Sequence, residues 1–333
     1  MSAGRSGAWR RPVVRASLAV LGAVALLAVF GGRLAPLDPL AQDTAHLLQG
    51  PSAAHLLGTD YLGRDVLSRL LAGTGLSVAA AVEAVGAALL LGVLPGLASV
   101  RFAAPLAWVS LRAVDALMTL PFTLFAIAAV GVLGNGLHQA MLALGVLLAP
   151  LFFRVSRAAA LGLDRAQYVE AAELMGAGRW TVLRTHVWRK VLPTVAVTTA
   201  HALATGLLTV ASLTFLGIGV QPPAPTWGGM LASDLGFLAQ QPWAPALPAV
   251  LIVLTVGALN LLADALREDD PARRPAAEPA EDAAEEPVER PAEQPAAERS
   301  AVEPSGTPSA APRPRPAATG EDADARTDDR VRA

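Results

Sequence analysis

The chain of 333 residues carries 26 Lys and Arg against 28 Asp and Glu, a formal net charge of −2. Hydrophobic residues make up 53% before the glycines are added, whereas an average soluble domain reaches about 45–50% with its glycines included, and charged residues are 16% against the usual ~25%. That excludes an ordinary soluble globule, and the absence of cysteine excludes a disulfide framework, thiolate metal sites and a cysteine nucleophile.

Residues 1–15 form a basic N-terminus, and the first long uncharged run follows between Arg15 and Arg33. A helix needs about 20 mostly apolar residues to cross a bilayer. On that criterion the chain is all-α, with six membrane spans near 16–33, 75–99, 104–132, 137–153, 192–217 and 243–264. The first is a retained span, because Gly31-Gly32-Arg33 is a poor signal-peptide cleavage site. Gly134-Asn135-Gly136 marks the turn between the third and fourth spans. A 37-residue loop, 154–190, joins the fourth to the fifth. With the N-terminus in the cytoplasm, twelve bases fall inside and three outside, which places both ends of the body in the cytoplasm. The final stretch, 267–333, has ten Arg and seventeen Asp or Glu among Pro and Ala; it buries too little to order itself and reads as a disordered tail.

Four strings stand out along the body. Before span two, residues 55–69 read HLLGTDYLGRDVLSR. Thr59 or Asp60 can cap a short helix there, with Leu62, Val66, Leu67, Leu70 and Leu71 on one face and Arg64, Asp65, Ser68 and Arg69 on the other. Periodicity alone describes a helix lying on the bilayer surface. In the 154–190 loop, YVEAAELMGAG (168–178) runs as helix-forming sequence to Met175 and breaks at Gly176. A second amphipathic turn then places Trp180, Leu183 and Val187 on one stripe, so the loop is a helix–turn–helix able to present Glu170, Ala171 and Ala172 to a partner. At the end of span five stands ASLTFLGIGVQPPAPTWG (211–228), and where span six ends, Asp264 and Arg267 sit one helical turn apart.

Taken together, over about residues 10–271, these strings resemble the C-type permease subunit of the dipeptide/oligopeptide/nickel ABC importers. The resemblance rests on Gly58, Thr59, Asp60, Gly63, Arg64 and Asp65 in the first string and on Phe215, Gly217 and Gly219 in the third, with Asp264 and Arg267 at the end. Arg112 and Asp115 match the R-x-x-D pattern at the start of span three. The resemblance implies a type I importer permease bundle in the plasma membrane, forming half of a path for di- or oligopeptides, with nickel or another small solute as the alternative. It implies that Glu170, Ala171, Ala172 and Gly176 form a coupling helix docked on an ATPase subunit. A second permease, two ATP-binding subunits and an extracytoplasmic solute-binding protein are the implied partners, with ATP and magnesium on the ATPase chains and no cofactor on this one. The chain departs from the family at His186-Val-Trp188-Arg189-Lys190, where H-x-L-P-N is usual, and at Val210, where many members carry Glu.

The missing motifs agree with a transport subunit that is not itself an enzyme. Lys190 is the sole lysine and no phosphate-cradling G-x-x-x-x-G-K-[ST] loop surrounds it. An intramembrane enzyme needs a metal or acid–base cluster, yet His46, His55, His138, His186 and His201 are scattered and no H-E-x-x-H occurs. A passive channel has no use for a docking loop, and nothing in the charge pattern suits nucleic acid. Within the spans, Glu83 and His201 are candidates for the translocation path, since an ionisable group in a span faces an interior or water; the simpler readings are a place near the outer interface for Glu83 and a hydrogen bond to a neighbouring helix for His201.

Overall fold

A computed structural model describes residues 12–100, 104–164, 174–176 and 178–268, and among these every regular element is helical. The long helices are α1 (Pro12–Leu34), α2 (Val66–Ala98), α5 (Leu137–Asp164), α7 (Trp188–Phe215) and α9 (Trp243–Glu268). Each is long and apolar enough to cross a membrane. Between them lie α3 (Ala104–Thr119), α4 (Phe122–Leu133), the single turn α6 (Arg179–Val182) and α8 (Trp227–Asp234).

The expected span over 104–132 is not one straight helix. It is divided into α3 and α4, which meet at 102°. Pro121 is the cause: it has no N–H to give and stands at φ −60°, ψ 122°, in extended backbone at the start of α4. Sixteen and twelve residues correspond to about 24 and 18 Å of helix, each short of the ~30 Å hydrocarbon core, so neither is a complete span by itself.

Other helix ends also differ from the expected span limits. Helix α2 starts at Val66 rather than near residue 75, with Asp65 as its cap, since the Asp65 carboxylate accepts the Ser68 N–H. Thr59 and Asp60 therefore cap nothing; they belong to the loop before the helix. Helix α5 continues to Asp164, eleven residues past the expected end at 153. Arg154 and Arg157 mark where the apolar sequence stops, and helical hydrogen bonding does not stop there, because long cationic side chains reach polar partners from within a helix. Helix α9 runs to Glu268, two residues beyond the expected body. The acidic segment from 269 onward lies outside the described residues.

Close contact between small residues holds the bundle together. Helices α2 and α5 run parallel: Gly145 meets Ala84 and Ala87, Gly92 meets Ala149 and Phe152, and Gly96 meets Phe153 and Ser156. Lipid is as apolar as leucine, so association inside a membrane depends on such dispersion contact. Helix α1 lies antiparallel to α2, with Gly31 on the Leu71 carbonyl and Gly75 on that of Ala28. Large apolar side chains such as Val29, Leu90, Leu94 and Val253 are left exposed on the outside, where hydrocarbon is their solvent.

One end of the bundle is covered by residues 35–65 and 216–242, called the cap below. Trp227 roots it in α2: its amide donates to Ser77 Oγ at 2.9 Å and its indole Nε1 to Thr74 Oγ1 at 3.2 Å. Asn135, in the expected turn between α4 and α5, accepts the Gly219 amide at 2.9 Å. Two further hydrogen bonds, Gln241 Nε2 to the Gln49 carbonyl at 2.7 Å and Trp243 Nε1 to that of Leu57 at 3.0 Å, close the cap over the helices.

Candidate functional site

The string at 55–69 folds into a buried polar knot where the cap joins the start of α2. This corrects the surface-helix expectation, in which Arg64, Asp65, Ser68 and Arg69 face water. All four are no more than 5% exposed. The loop turns back twice, at Gly58 (φ +79°) and Gly63 (φ +75°), both in the left-handed region that glycine occupies at no steric cost. Gly58 lies against the Gln49 carbonyl and Gly63 against that of Asp43, so neither site has room for a Cβ. Thr59 donates its hydroxyl to the His46 carbonyl at 2.5 Å and accepts the Gln49 amide at 3.0 Å.

Asp60 is the centre of the knot. Its Oδ1 accepts the Leu62 and Arg64 amides, each at 2.9 Å, and its Oδ2 takes Arg64 Nε at 2.7 Å with Arg69 Nε at 3.4 Å. A buried carboxylate is tolerable because its lone pairs are filled and two cations stand beside it. Asp65 accepts from Ser68 and contacts His55 Nδ1 at 3.0 Å. Arg64 also lies over the Tyr61 ring, 5.5 Å from its centroid, and that ring stacks on Phe237 at 5.3 Å.

The third string meets the first at this knot. Gly217 (φ +73°) and Gly219 (φ +87°) turn the chain after α7, and Phe215 remains partly exposed. Between the strings lies a cavity of about 370 Å³ walled by Tyr61, Arg64, Arg69, Phe215, Pro222 and Ser233 among others. Next to it Asp234 is 4% exposed. Burial, and secondarily the Asp60 carboxylate, push its carboxyl up to about 6, against the opposing Ser233 hydroxyl, Arg69 and Arg64. Asp234 carries no motif, and its signal in the sequence was isolation: a lone acid between two long uncharged runs.

Other candidates occupy the membrane-spanning helices. Glu83 on α2 contacts His138 Nδ1, in the first turn of α5, at 2.8 Å. The sequence offered no spacing that joins them. Asp115 on α3 takes Arg154 Nη2 at 2.6 Å and Arg112 Nη1 at 3.4 Å, while Arg112 sits over the Trp108 ring. Arg157 donates to Ser99 Oγ at 2.7 Å, tying the far ends of α5 and α2. His201 on α7 faces α9, with Nδ1 3.1 Å from Asn260 Oδ1 and Nε2 3.7 Å from the Asp264 carboxylate. Asp264 thus turns toward α7, not along its own helix to Arg267.

Of the docking-loop residues, Glu170, Ala171 and Ala172 lie outside the described residues. Gly176 is described: it is a turn residue at φ +89°, where the expected helix breaks. After it the chain re-enters helix at Arg179, passes through a π-helical turn, Leu183–Val187, and continues into α7. Val187 of the expected stripe is 1% exposed. Through the segment that departs from the family pattern, the backbone is therefore continuous helix into α7.

Comparison with known proteins agrees with this geometry. Residues 66–268 match the family model described as "Binding-protein-dependent transport system inner membrane component". Over 266 residues the chain is 36% identical to the glutathione transport system permease protein GsiD of Pectobacterium atrosepticum, covering 78% of this chain and 88% of that protein. It is 34% identical over 257 residues to the probable D,D-dipeptide transport system permease protein DdpC of Escherichia coli K12, covering 77% and 86%. With the di/tripeptide transport system permease protein DppC of Pseudomonas aeruginosa, identity is 38% over 254 residues, covering 74% and 83%.

Proposed function

The chain belongs to the family of binding-protein-dependent transport system inner membrane components, and from that premise we propose that it is one half of the membrane path of an importer for short peptides. The observation that carries the solute class is agreement among relatives: their names specify glutathione, D,D-dipeptide and di/tripeptide transport. No feature of the chain favours nickel over these.

The remaining parts follow from the same reading. Twelve inner bases against three outer ones put both ends of the body in the cytoplasm and the cap outside, where a solute-binding protein delivers its load. Energy comes from two ATP-binding subunits that hold ATP and magnesium, and this chain does no covalent chemistry. Glu170, Ala171, Ala172 and Gly176 dock on one of those subunits, Gly176 supplying the bend after the helix. A second, non-identical permease completes the path.

Its position is marked by charge. His138 is 77% and Glu83 30% exposed, and Arg154 51% and Asp115 39% exposed, although all four belong to helices of membrane-spanning character. Charges so placed face water or another protein chain, not lipid. The face of α2, α3 and α5 that carries them is therefore the face turned to the path and the partner permease, and His201 is a helix-to-helix contact beside it. ATP-driven closure of the ATPase pair draws the docking helices together and tilts the bundles between outward and inward openings.

The test is uptake of labelled dipeptide and labelled nickel, in parallel, by a strain lacking the gene and by its complemented parent. A defect confined to dipeptide supports the reading. A defect confined to nickel, or none in either, overturns the peptide assignment.

A further inference from the structure

The cap cavity has two properties that family membership leaves unused: a volume of about 370 Å³ and two arginines in its wall. Arg64 is 3% and Arg69 5% exposed, so both charges are held away from bulk solvent. Their donors are only partly taken. Arg64 gives Nε to Asp60, and Arg69 gives Nη1 to the Pro39 and Pro223 carbonyls at 3.3 and 3.4 Å, the long limit of hydrogen bonding. Among the described residues, both terminal nitrogens of Arg64 and Nη2 of Arg69 have no hydrogen bond, yet the buried side-chain nitrogen left without a partner is His201 Nε2. The spare arginine nitrogens are therefore not sealed in protein; they open to the cavity they line.

Neither neighbouring carboxyl group hydrogen-bonds them. Asp60 has committed both oxygens to two amides and two arginine Nε groups. Asp234 accepts the Ser233 hydroxyl and is not ion-paired with either arginine. A guanidinium edge with spare N–H groups lining a recess suits a carboxylate, which it binds through two parallel hydrogen bonds. The lining also includes apolar residues, among them Phe215, Val220, Pro222 and Ala224. The volume is at the small end of ligand sites, about 300–1,000 Å³, which favours a molecule of one or two amino acids over a protein segment.

We propose that the cap cavity receives the terminal carboxylate of a small solute, held by Arg64 and Arg69 while Phe215, Val220 and Pro222 cover the adjoining side chain. The assignment rests on the importer reading, in which the cap meets incoming solute, and it names the group by which the solute is first held.

The test uses the complete transporter with its partner subunits, in lipid nanodiscs and without the binding protein. Binding of labelled dialanine is compared with binding of its C-terminal amide. The amide is expected to bind at least tenfold more weakly, and Arg69→Gln to remove the difference. Because Arg69→Gln disturbs the Asp60 knot, Ala232→Leu serves as a second variant, narrowing the cavity from α8 and leaving every hydrogen bond of the knot in place. It is expected to weaken dialanine at least tenfold in a complex of normal size by gel filtration. Equal binding of acid and amide, or unchanged binding in Ala232→Leu, overturns the proposal. ATP-driven dialanine uptake, measured with the binding protein on the same preparation, separates the two levels. Uptake without acid-over-amide preference overturns the cavity assignment alone. Preference without uptake supports the cavity and counts against the peptide importer.

Discussion

His201 on α7 and Asp264 on α9 face each other with Nε2 3.7 Å from the carboxylate, while Asn260, one turn before Asp264, meets the other ring nitrogen at 3.1 Å. The imidazole is thus held from one side by a hydrogen bond and left on the other with a buried nitrogen just outside bonding range. The two contacts differ in worth. Asp264 is 60% exposed, so its attraction is screened, whereas the Asn260 contact satisfies a half-buried ring. Asp264→Asn is expected to change stability by less than about 1 kcal/mol. Asn260→Leu, which leaves Nδ1 without a partner, should cost about 1–3 kcal/mol. Thermal unfolding of the purified complex distinguishes them, and equal losses in the two variants contradict this ranking.

The small-residue seam between α2 and α5 yields a steric prediction. A Cβ at Gly96 meets the Phe153 carbonyl at 2.7 Å, while one at Gly131 or Gly22 meets nothing within 4 Å. Gly96→Ala should destabilise by about 1–3 kcal/mol, the usual cost of overpacking, while Gly22→Ala should be neutral or slightly stabilising. The fraction of monodisperse protein after mild heating in detergent gives the comparison.

Asp234 makes stability pH-dependent, with a sign that follows from its raised carboxyl. Its ordinary value is 3.8 and in the fold it is pushed up to about 6, so the folded chain binds the extra proton between those values. The unfavourable charge is fully felt above pH 6, lessens as pH falls toward 4, and is absent below. Asp234→Asn should therefore stabilise the protein at pH 7 by about 2–3 kcal/mol, and the gain should vanish by pH 4. Denaturation at pH 4, 5, 6 and 7 tests it; a gain that is constant with pH is the contrary result.

For the docking loop, a bulky residue at Gly176 is strained at φ +89° and displaces the bend after the helix. Gly176→Leu and Glu170→Leu are expected to abolish uptake while insertion and complex assembly persist, with ATP hydrolysis no longer responding to the loaded binding protein. Normal uptake in either variant sinks the coupling role.

Much of this architecture was legible in the sequence, since length and apolarity identify a span directly, and Gly134–Gly136 turns the chain where expected. What was not legible has physical causes. Arg154 ends the apolar run but not the helix, because a cation that finds Asp115 across the bundle is tolerated within it. Pro121 was visible, but whether a proline kinks or divides a helix depends on packing. Periodicity sent Arg64, Ser68 and Arg69 to solvent, since it records which residues share a face and not what covers that face. The cover is the cap, held through Gln241 and Trp243, and no local pattern around 55–69 announces residues so far along the chain. Glu83 and His138, 55 positions apart, were hidden for the same reason.

The hydrogen bonds from Gln241 to Gln49 and from Trp243 to Leu57 join positions 192 and 186 apart. A ribosome making this chain releases the 35–65 loop long before its clasp. Until those later residues are made, then, the loop's acids and arginines lack that cover. Only the emergence of α9 completes their enclosure. A nascent chain arrested before that point has most of its spans and no finished cap, and should be open there to proteases that the mature protein resists.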